Sequence, residues 1–263
     1  MKTINFHGYI DSEVWFGDEV TPQMLHDQLY EGDTNEDATI LIHSYGGSCD
    51  AAISMFEDIR SYPGNVTCQV QVAASAATVV AMAGDTVTMS PVGVFMIHRP
   101  STFAYGNEDD MSAAIDMLRA YHNSIMNAYE PRCAKKGVTR DQIIDLMSKD
   151  NYMDAATALE LGFVDAVDNI VPAATNASTG RVVDQELVKS KHEAWSARDQ
   201  MRRMKDAIKD TADKAVFSLP SIVSEDIKAE IASLKQTVDD VLSAKKNTVP
   251  ADQLYKRLNL LKK

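Results

Sequence analysis

Ser75 stands where a strand-like run, Val66 to Val72, gives way to a small-residue helix, Ala76 to Gly84. A hydroxyl at such a junction lies at a helix N-terminus, where unpaired backbone N–H groups and the positive dipole end favour developing negative charge. His98 closes the apolar run Gly93 to Ile97, and Asp150 directly precedes Asn151, Tyr152 and Met153. Hydroxyl, imidazole and carboxylate are the three parts of an activated nucleophile: the base takes the proton and the acid orients the base. Acyl transfer also needs two N–H donors aimed at the developing oxyanion. Gly46-Gly47 forms a second strand-to-helix turn, where the missing side chains let a carbonyl approach the main chain. Gly47 and Ala76 are the expected donors.

Each of these residues also has an ordinary explanation. A serine among alanines is commonly a tight-packing residue, paired glycines commonly make only a turn, and a histidine at a strand end is commonly structural. His43 adjoins the glycine turn and is a rival base, ranked below His98; His7, His26, His122 and His192 sit in exposed or helical text. The chain holds 38 Asp and Glu, so spacing does not single out Asp150. No His, Cys and carboxylate cluster shows metal-ligand spacing, and no cofactor is implied.

Around this chemistry the chain reads as alternating strands and helices. Ile4 to Phe6 suggests a first strand, and Thr21-Pro22 a helix start running to about Tyr30, with Thr as N-cap and Pro at the first helical position. Thr39 to Ile42, then the glycine turn, then a helix through Ile59 give strand, turn, helix; Val66 to Val72 with Ala74 to Ala83 repeat the unit. Thr86 to Met89 and Val92 to Ile97 read as two further short strands. Alternation of this kind predicts an α/β class with parallel pairing. Met111, Ala114, Ile115, Leu118, Tyr121, Ile125, Met126 and Tyr129 keep helical spacing, so a long amphipathic helix is expected from Asn107 to Lys136, ended by Gly137. Thr139 opens a shorter helix to Met147, and Ala155 to Leu161 forms another, stopped by Gly162.

Composition excludes several function classes. The chain has 263 residues, a formal net charge of −12 and 45% hydrophobic residues. That is enough to bury a full core, and too acidic for a general nucleic-acid or anionic-membrane binder. Cys49, Cys68 and Cys133 are an odd count, read as unpaired thiols in a reducing compartment. With no signal-peptide core and no apolar run near about 20 residues, a cytoplasmic location is expected. Three segments are expected: a catalytic domain over 1–170, a Pro/Ala/Thr/Ser-containing linker over 171–184, and a charged helical tail over 185–263. The tail's narrow apolar stripe, Ile227, Ile231, Leu234, Val238, Val241 and Leu242, suits helix pairing more than an independent core.

Over most of residues 1–170 the chain resembles the Clp protease proteolytic subunit (ClpP) family of serine peptidases. Ile42-His43-Ser44-Tyr45-Gly46-Gly47 resembles that family's I-N-S-P-G-G, Ala73-Ala74-Ser75-Ala76-Ala77 its A-A-S-x-A, and Met96-Ile97-His98-Arg99-Pro100 its M-I-H-Q-P. Asp150 to Ala155 resembles its D-R-x-x-S-A, and Leu161 to Asp165 its G-L-I-D ending. The resemblance implies Ser75 as nucleophile, His98 as general base, Asp150 as its orienting acid, and Gly47 and Ala76 as oxyanion donors. It implies a ClpP/crotonase-type spiral of ββα units and a protruding handle built on the long helix, through which subunits form rings, heptameric or stacked. It also implies a polypeptide substrate bound as an added strand, using Gly46 and Ser48 beside the turn and Thr102 and Phe103 opposite. The chain departs from the family pattern in having His43 and Tyr45 for Asn and Pro, and Asn151 for Arg beside the acid. It also starts at the first core strand, without the family's N-terminal axial segment, which leaves an ATPase unfoldase partner open.

The segments Phe6 to Ile10 and Trp15 to Pro22, together with the charged tail, resemble the ClpP-like head-maturation proteases of tailed phages. That resemblance implies cleavage of scaffold and capsid proteins inside a procapsid, with Phe217-Ser218-Leu219-Pro220 as a candidate self-cleavage region. The competing expectations are a crotonase-type acyl-CoA enzyme, which shares the spiral and the paired-amide hole but needs no serine nucleophile, and a catalytically silent scaffolding protein.

Overall fold

The computed structural model describes residues 1–14 and 17–168. Trp15, Phe16, the expected linker over 171–184, the expected tail over 185–263 and the candidate self-cleavage region lie outside the described residues.

A six-stranded sheet organises the molecule. Strands β1 (Lys2–His7), β4 (Ala38–Ser44), β5 (Val66–Ala74) and β6 (Thr86–Ile97) lie side by side and parallel. Between β1 and β4 the chain makes a small parallel ribbon of β2 (Tyr9–Ile10) and β3 (Glu19–Val20), followed by helix α1 (Pro22–Tyr30). Parallel neighbours need crossover connections. Helix α2 (Cys49–Arg60) supplies the one from β4 to β5, and α3 (Ala76–Met82) the one from β5 to β6. Local sequence sets the helix starts: Thr21 Oγ1, as expected, accepts from the Met24 N–H at 3.2 Å with Pro22 at the first turn, and at the second helix Ser48 Oγ accepts from the Ala51 N–H at 3.3 Å.

The region read as two strands, Thr86 to Met89 and Val92 to Ile97, is one strand carrying an irregularity. Val70 of β5 pairs with Met89 and Val72 with Val94, so β6 spends three more residues than its neighbour between those pairs, around Pro91 and Gly93. A bulge of this kind bends a strand without ending it. The parallel pairing expected of the class holds for β1, β4, β5 and β6 and for β8 (Ala166–Val167), which pairs with the first half of β6, while β7 (Asn151–Met153) is an antiparallel addition to β6.

The main core lies between the helices and one face of the sheet, with Phe6, Ile40, Ile42, Met55, Val80, Met89, Phe95 and Phe163 all fully enclosed. On the opposite face, beyond the irregularity, a smaller cluster of Tyr45, Val72, Ala74, Val94 and Met96 forms under Tyr152. Helix α4 (Glu108–Cys133) starts in a capping box made by Asn107 and Asp110 and continues into a 3₁₀ turn (Ala134–Lys136) closed by Gly137 in the left-handed region at φ 78°. Its buried residues, Ile125, Met126, Ala128, Tyr129, Arg132 and Cys133, occupy only the last turns. The first half is solvated, which is the pattern of a helix projecting from the core. Helices α5 (Arg140–Leu146) and α6 (Ala155–Leu161) complete the domain, the latter stopped by Gly162 at φ 84°.

Candidate active site

Ser75 occupies the N-cap position of α3 with φ 56° and ψ −128°, the sole non-glycine residue at positive φ among those described. Such a conformation costs of order 1–3 kcal/mol and persists only where its surroundings enforce it. They do so here through the backbone. The Ser75 N–H donates to the Met96 carbonyl at 2.8 Å, and the Ser75 carbonyl accepts from the Thr78 N–H at 3.0 Å and from Thr78 Oγ1 at 2.5 Å. Thr78 Oγ1 lies in turn 2.5 Å from the hydroxyl of Tyr129, which is fully buried against Phe163. The serine side chain makes no capping hydrogen bond. Its Oγ lies 2.7 Å from Nε2 of His98 instead.

The register of two strand pairs delivers the partners. Ala74 pairs with Met96 across β5 and β6, so the chain leaving β5 turns beside the end of β6, where His98 follows. In the antiparallel pair, Ile97 faces Asn151 and Met96 faces Tyr152; one further step along the same register sets His98 opposite Asp150. Nδ1 of His98 is 3.3 Å from Oδ1 of Asp150, with side-chain exposures of 18% and 40%. The imidazole is thus held mostly out of water between hydroxyl and carboxylate. The Arg99 N–H, donating to the Met147 carbonyl at 3.2 Å, anchors the chain immediately after the histidine.

The glycine turn presses directly on the serine. A methyl built on Gly46 would stand 2.7 Å from Ser75 Cβ and 2.9 Å from the Ala76 nitrogen, and one built on Gly47 would stand 2.0 Å from the Ile10 carbonyl oxygen. Gly46 and Gly47 have φ of 99° and 149°, so both contact and conformation require glycine. Ile10 bridges the turn: its N–H donates to the Gly46 carbonyl at 2.9 Å and its carbonyl accepts from the Ser48 N–H at 2.8 Å. In a parallel bridge of this form the central residue, Gly47, points its own N–H away from Ile10. Gly46 N–H donates to Ser44 Oγ at 3.2 Å, and Ser48 is committed through N–H and Oγ to Ile10 and the α2 cap. Of the three turn residues, therefore, only Gly47 keeps an outward amide among the described residues.

Thr102 and Phe103 sit in the open segment between β6 and α4, with Phe103 partly exposed. The rival base His43 packs its ring against His7 and Tyr45, at 5.6 and 5.9 Å between centroids. Two supports of the site escaped the sequence reading. Thr78 had a signal, a hydroxyl three residues after the serine; Tyr129, 51 residues away from Thr78, had none. A third support is Arg132, buried at 8% exposure, which donates to the Met82 and Gly84 carbonyls at the C-terminal end of α3 and to Asp165 at 2.6 Å. None of the three cysteines is disulfide-bonded, and no cluster of three or more metal-ligating side chains occurs among the described residues.

Residues 3–170 match the Clp protease family. The chain belongs to that family. It is similar to the ATP-dependent Clp protease proteolytic subunits of Streptococcus pneumoniae strains Hungary19A-6 and CGSP14, each 26% identical over 140 residues, which is 51% of this chain and 70% of theirs. Its fold is similar to that of a ClpP1 mutant from Listeria monocytogenes, with a TM-score of 0.54 and 19% identity over 64% of this chain and 91% of the other. The described residues form a mixed α/β fold of sheet and helices. No helix among the described residues is long and apolar enough to cross a membrane.

Proposed function

We propose that this Clp protease family member is a serine endopeptidase that hydrolyses peptide bonds through an acyl-enzyme. The observation that carries the reading is the line from Ser75 Oγ to His98 Nε2 at 2.7 Å and from His98 Nδ1 to Asp150 at 3.3 Å. In the first step Oγ attacks the substrate carbonyl carbon while its proton passes to Nε2; Asp150 holds the ring by its Nδ1–H and stabilises the imidazolium. The tetrahedral oxyanion is held by the amides of Gly47 and Ala76. Collapse breaks the C–N bond, and the leaving amine takes the proton from Nε2. Water, deprotonated by the same nitrogen, then releases the acid product and restores the serine. Neither a crotonase-type enzyme nor a silent scaffold needs this relay.

The substrate is an extended polypeptide, and the working form is a homo-oligomeric ring assembled through the α4 handle, in a host-cell cytoplasm. The finer reading is head maturation in a tailed phage, with scaffold or capsid protein as substrate. It is supported by the sequence resemblance of Phe6 to Ile10 and Trp15 to Pro22 and by the charged tail, and it leaves coupling to an ATPase unnecessary. Incubating the full chain with a fluorophosphonate probe tests the chemistry: label on Ser75 by peptide mass spectrometry is expected, and an unlabelled Ser75 in a folded protein would falsify it. Co-expression with capsid and scaffold proteins of a tailed phage tests the substrate, uncleaved partners being the adverse result.

A further inference from the structure

A cavity of about 420 Å³ starts at the chain segment that directly follows the candidate base. One wall is Arg99 and Pro100, the two residues after His98; the other is a face of α4 on which Ile115 and Leu118 are followed by Arg119, His122 and Asn123. The size lies within the range of ligand sites, about 300–1,000 Å³. Its charge is out of character for the chain. Acids outnumber Lys and Arg by 38 to 26, yet two guanidinium groups and no carboxylate line this space.

The polar groups here converge as donors. Arg99 has no carboxylate partner among the described residues, whereas Arg119 pairs at 3.0 Å with Asp116, both far out in solvent at 74% and 69% exposure. A pair so exposed is worth little and exchanges readily. Oδ1 of Asn123 already accepts from Arg140 at 3.2 Å, which leaves its amide N–H₂ to face a ligand. Arg140 itself is engaged by Glu130 at 2.7 Å. Nδ1 of His122 is buried with no hydrogen-bond partner among the described residues. Burial, then Arg99 and Arg140, push that imidazole below its ordinary value, so the lasting positive charge is that of the arginines. Planar guanidinium forks beside an amide and an apolar rim suit a carboxylate on a short aliphatic stem.

We infer that this cavity is a specificity subsite for an acidic side chain of the polypeptide substrate, bound one or a few residues from the scissile bond. The inference rests on the peptidase reading, because it takes Arg99 as the neighbour of a working His98. Asp or Glu enters carboxylate first, meets Arg99 and Arg119 with the Asn123 amide, and lays its methylenes on Ile115 and Leu118.

Binding can be judged apart from chemistry in the full-length Ser75→Ala chain, using peptides that carry a single Glu or the isosteric Gln at successive positions and fluorescence anisotropy as the readout. At one position the Glu peptide should bind about tenfold more tightly, and Arg99→Gln and Arg119→Gln should each shrink that ratio. Equal binding at all positions, or a ratio unmoved by both substitutions, would overturn the subsite. In the unsubstituted chain, fluorophosphonate labelling of Ser75 with no Glu-over-Gln difference in kcat/KM rejects the subsite and spares the peptidase. An unlabelled serine with a strong Glu-over-Gln binding ratio does the reverse.

Discussion

Two serines hold the same position in consecutive units of this fold and are used in opposite ways. Ser48 follows β4 and opens α2; Ser75 follows β5 and opens α3. Ser48 sits at φ −64°, ψ 126°, and its Oγ caps the helix by accepting from Ala51 N–H. Ser75 sits at φ 56°, ψ −128°, caps nothing, and turns its Oγ to His98. A cap is worth about 1 kcal/mol and a strained residue costs about 1–3 kcal/mol. The second unit therefore gives up local stability that the first retains, and what it gains is a hydroxyl within reach of an imidazole. Strain of this kind marks sites where geometry serves chemistry.

Substitutions can break the comparison from either side. The largest expected effect is on Ser75→Ala: peptide hydrolysis falls on the order of 10⁶-fold with the melting temperature nearly unchanged, since no cap is lost. Residual turnover near the parent rate in a steady-state assay would reject Ser75 as nucleophile. Asp150→Asn comes next, with kcat lower by about 10³–10⁴-fold because the amide no longer fixes the tautomer of His98. An unchanged kcat would reassign the acid. Gly47→Ala drives a methyl into the Ile10 carbonyl, and urea unfolding should show a loss of about 2–3 kcal/mol together with weakened hydrolysis. A fully stable, fully active Gly47→Ala would remove the turn from the site. The smallest effects separate the two serines: Ser48→Ala should cost about 1 kcal/mol while leaving fluorophosphonate labelling of Ser75 intact, and Ser75→Gly should gain about 1 kcal/mol. If Ser75→Gly destabilises instead, the backbone there is not strained.

The buried Arg132 cluster makes a further contrast with the site. Arg132 reaches Asp165 and two carbonyls at the C-terminal end of α3, where a cation is favoured by the helix dipole and by the unpaired carbonyls. The two ends of this one short helix are thus fixed differently: the far end by the buried Arg132 guanidinium, whose carboxylate partner Asp165 is partly in solvent, the near end by the Thr78 and Tyr129 hydroxyls behind Ser75. Burial also pushes the Cys68 and Cys133 thiols up to about 12, so neither neighbour of this helix offers a competing thiolate near neutral pH.

Local rules were enough for much of the fold. Thr21-Pro22, Thr139 and Gly162 announced helix ends because caps and left-handed stops act within a few residues, and the alternation of strands and helices announced the α/β class because periodicity is also local. The five ordered motifs pointed to the family and to Ser75, His98 and Asp150. Other features depend on separations that no local pattern encodes. The merging of two short strands into β6 came from pairing with β5 across the irregularity, and the reversed direction of β7 came from its place beside β6. Asp150 lies opposite His98 because that antiparallel register extends by one residue, a fact of pairing and not of composition. The Tyr129 hydroxyl behind Ser75, and the amide of Gly47 facing outward while those of Gly46 and Ser48 are used inside, were decided by tertiary packing for the same reason: a hydrogen bond depends on distance in space, and the chain reveals only distance along itself.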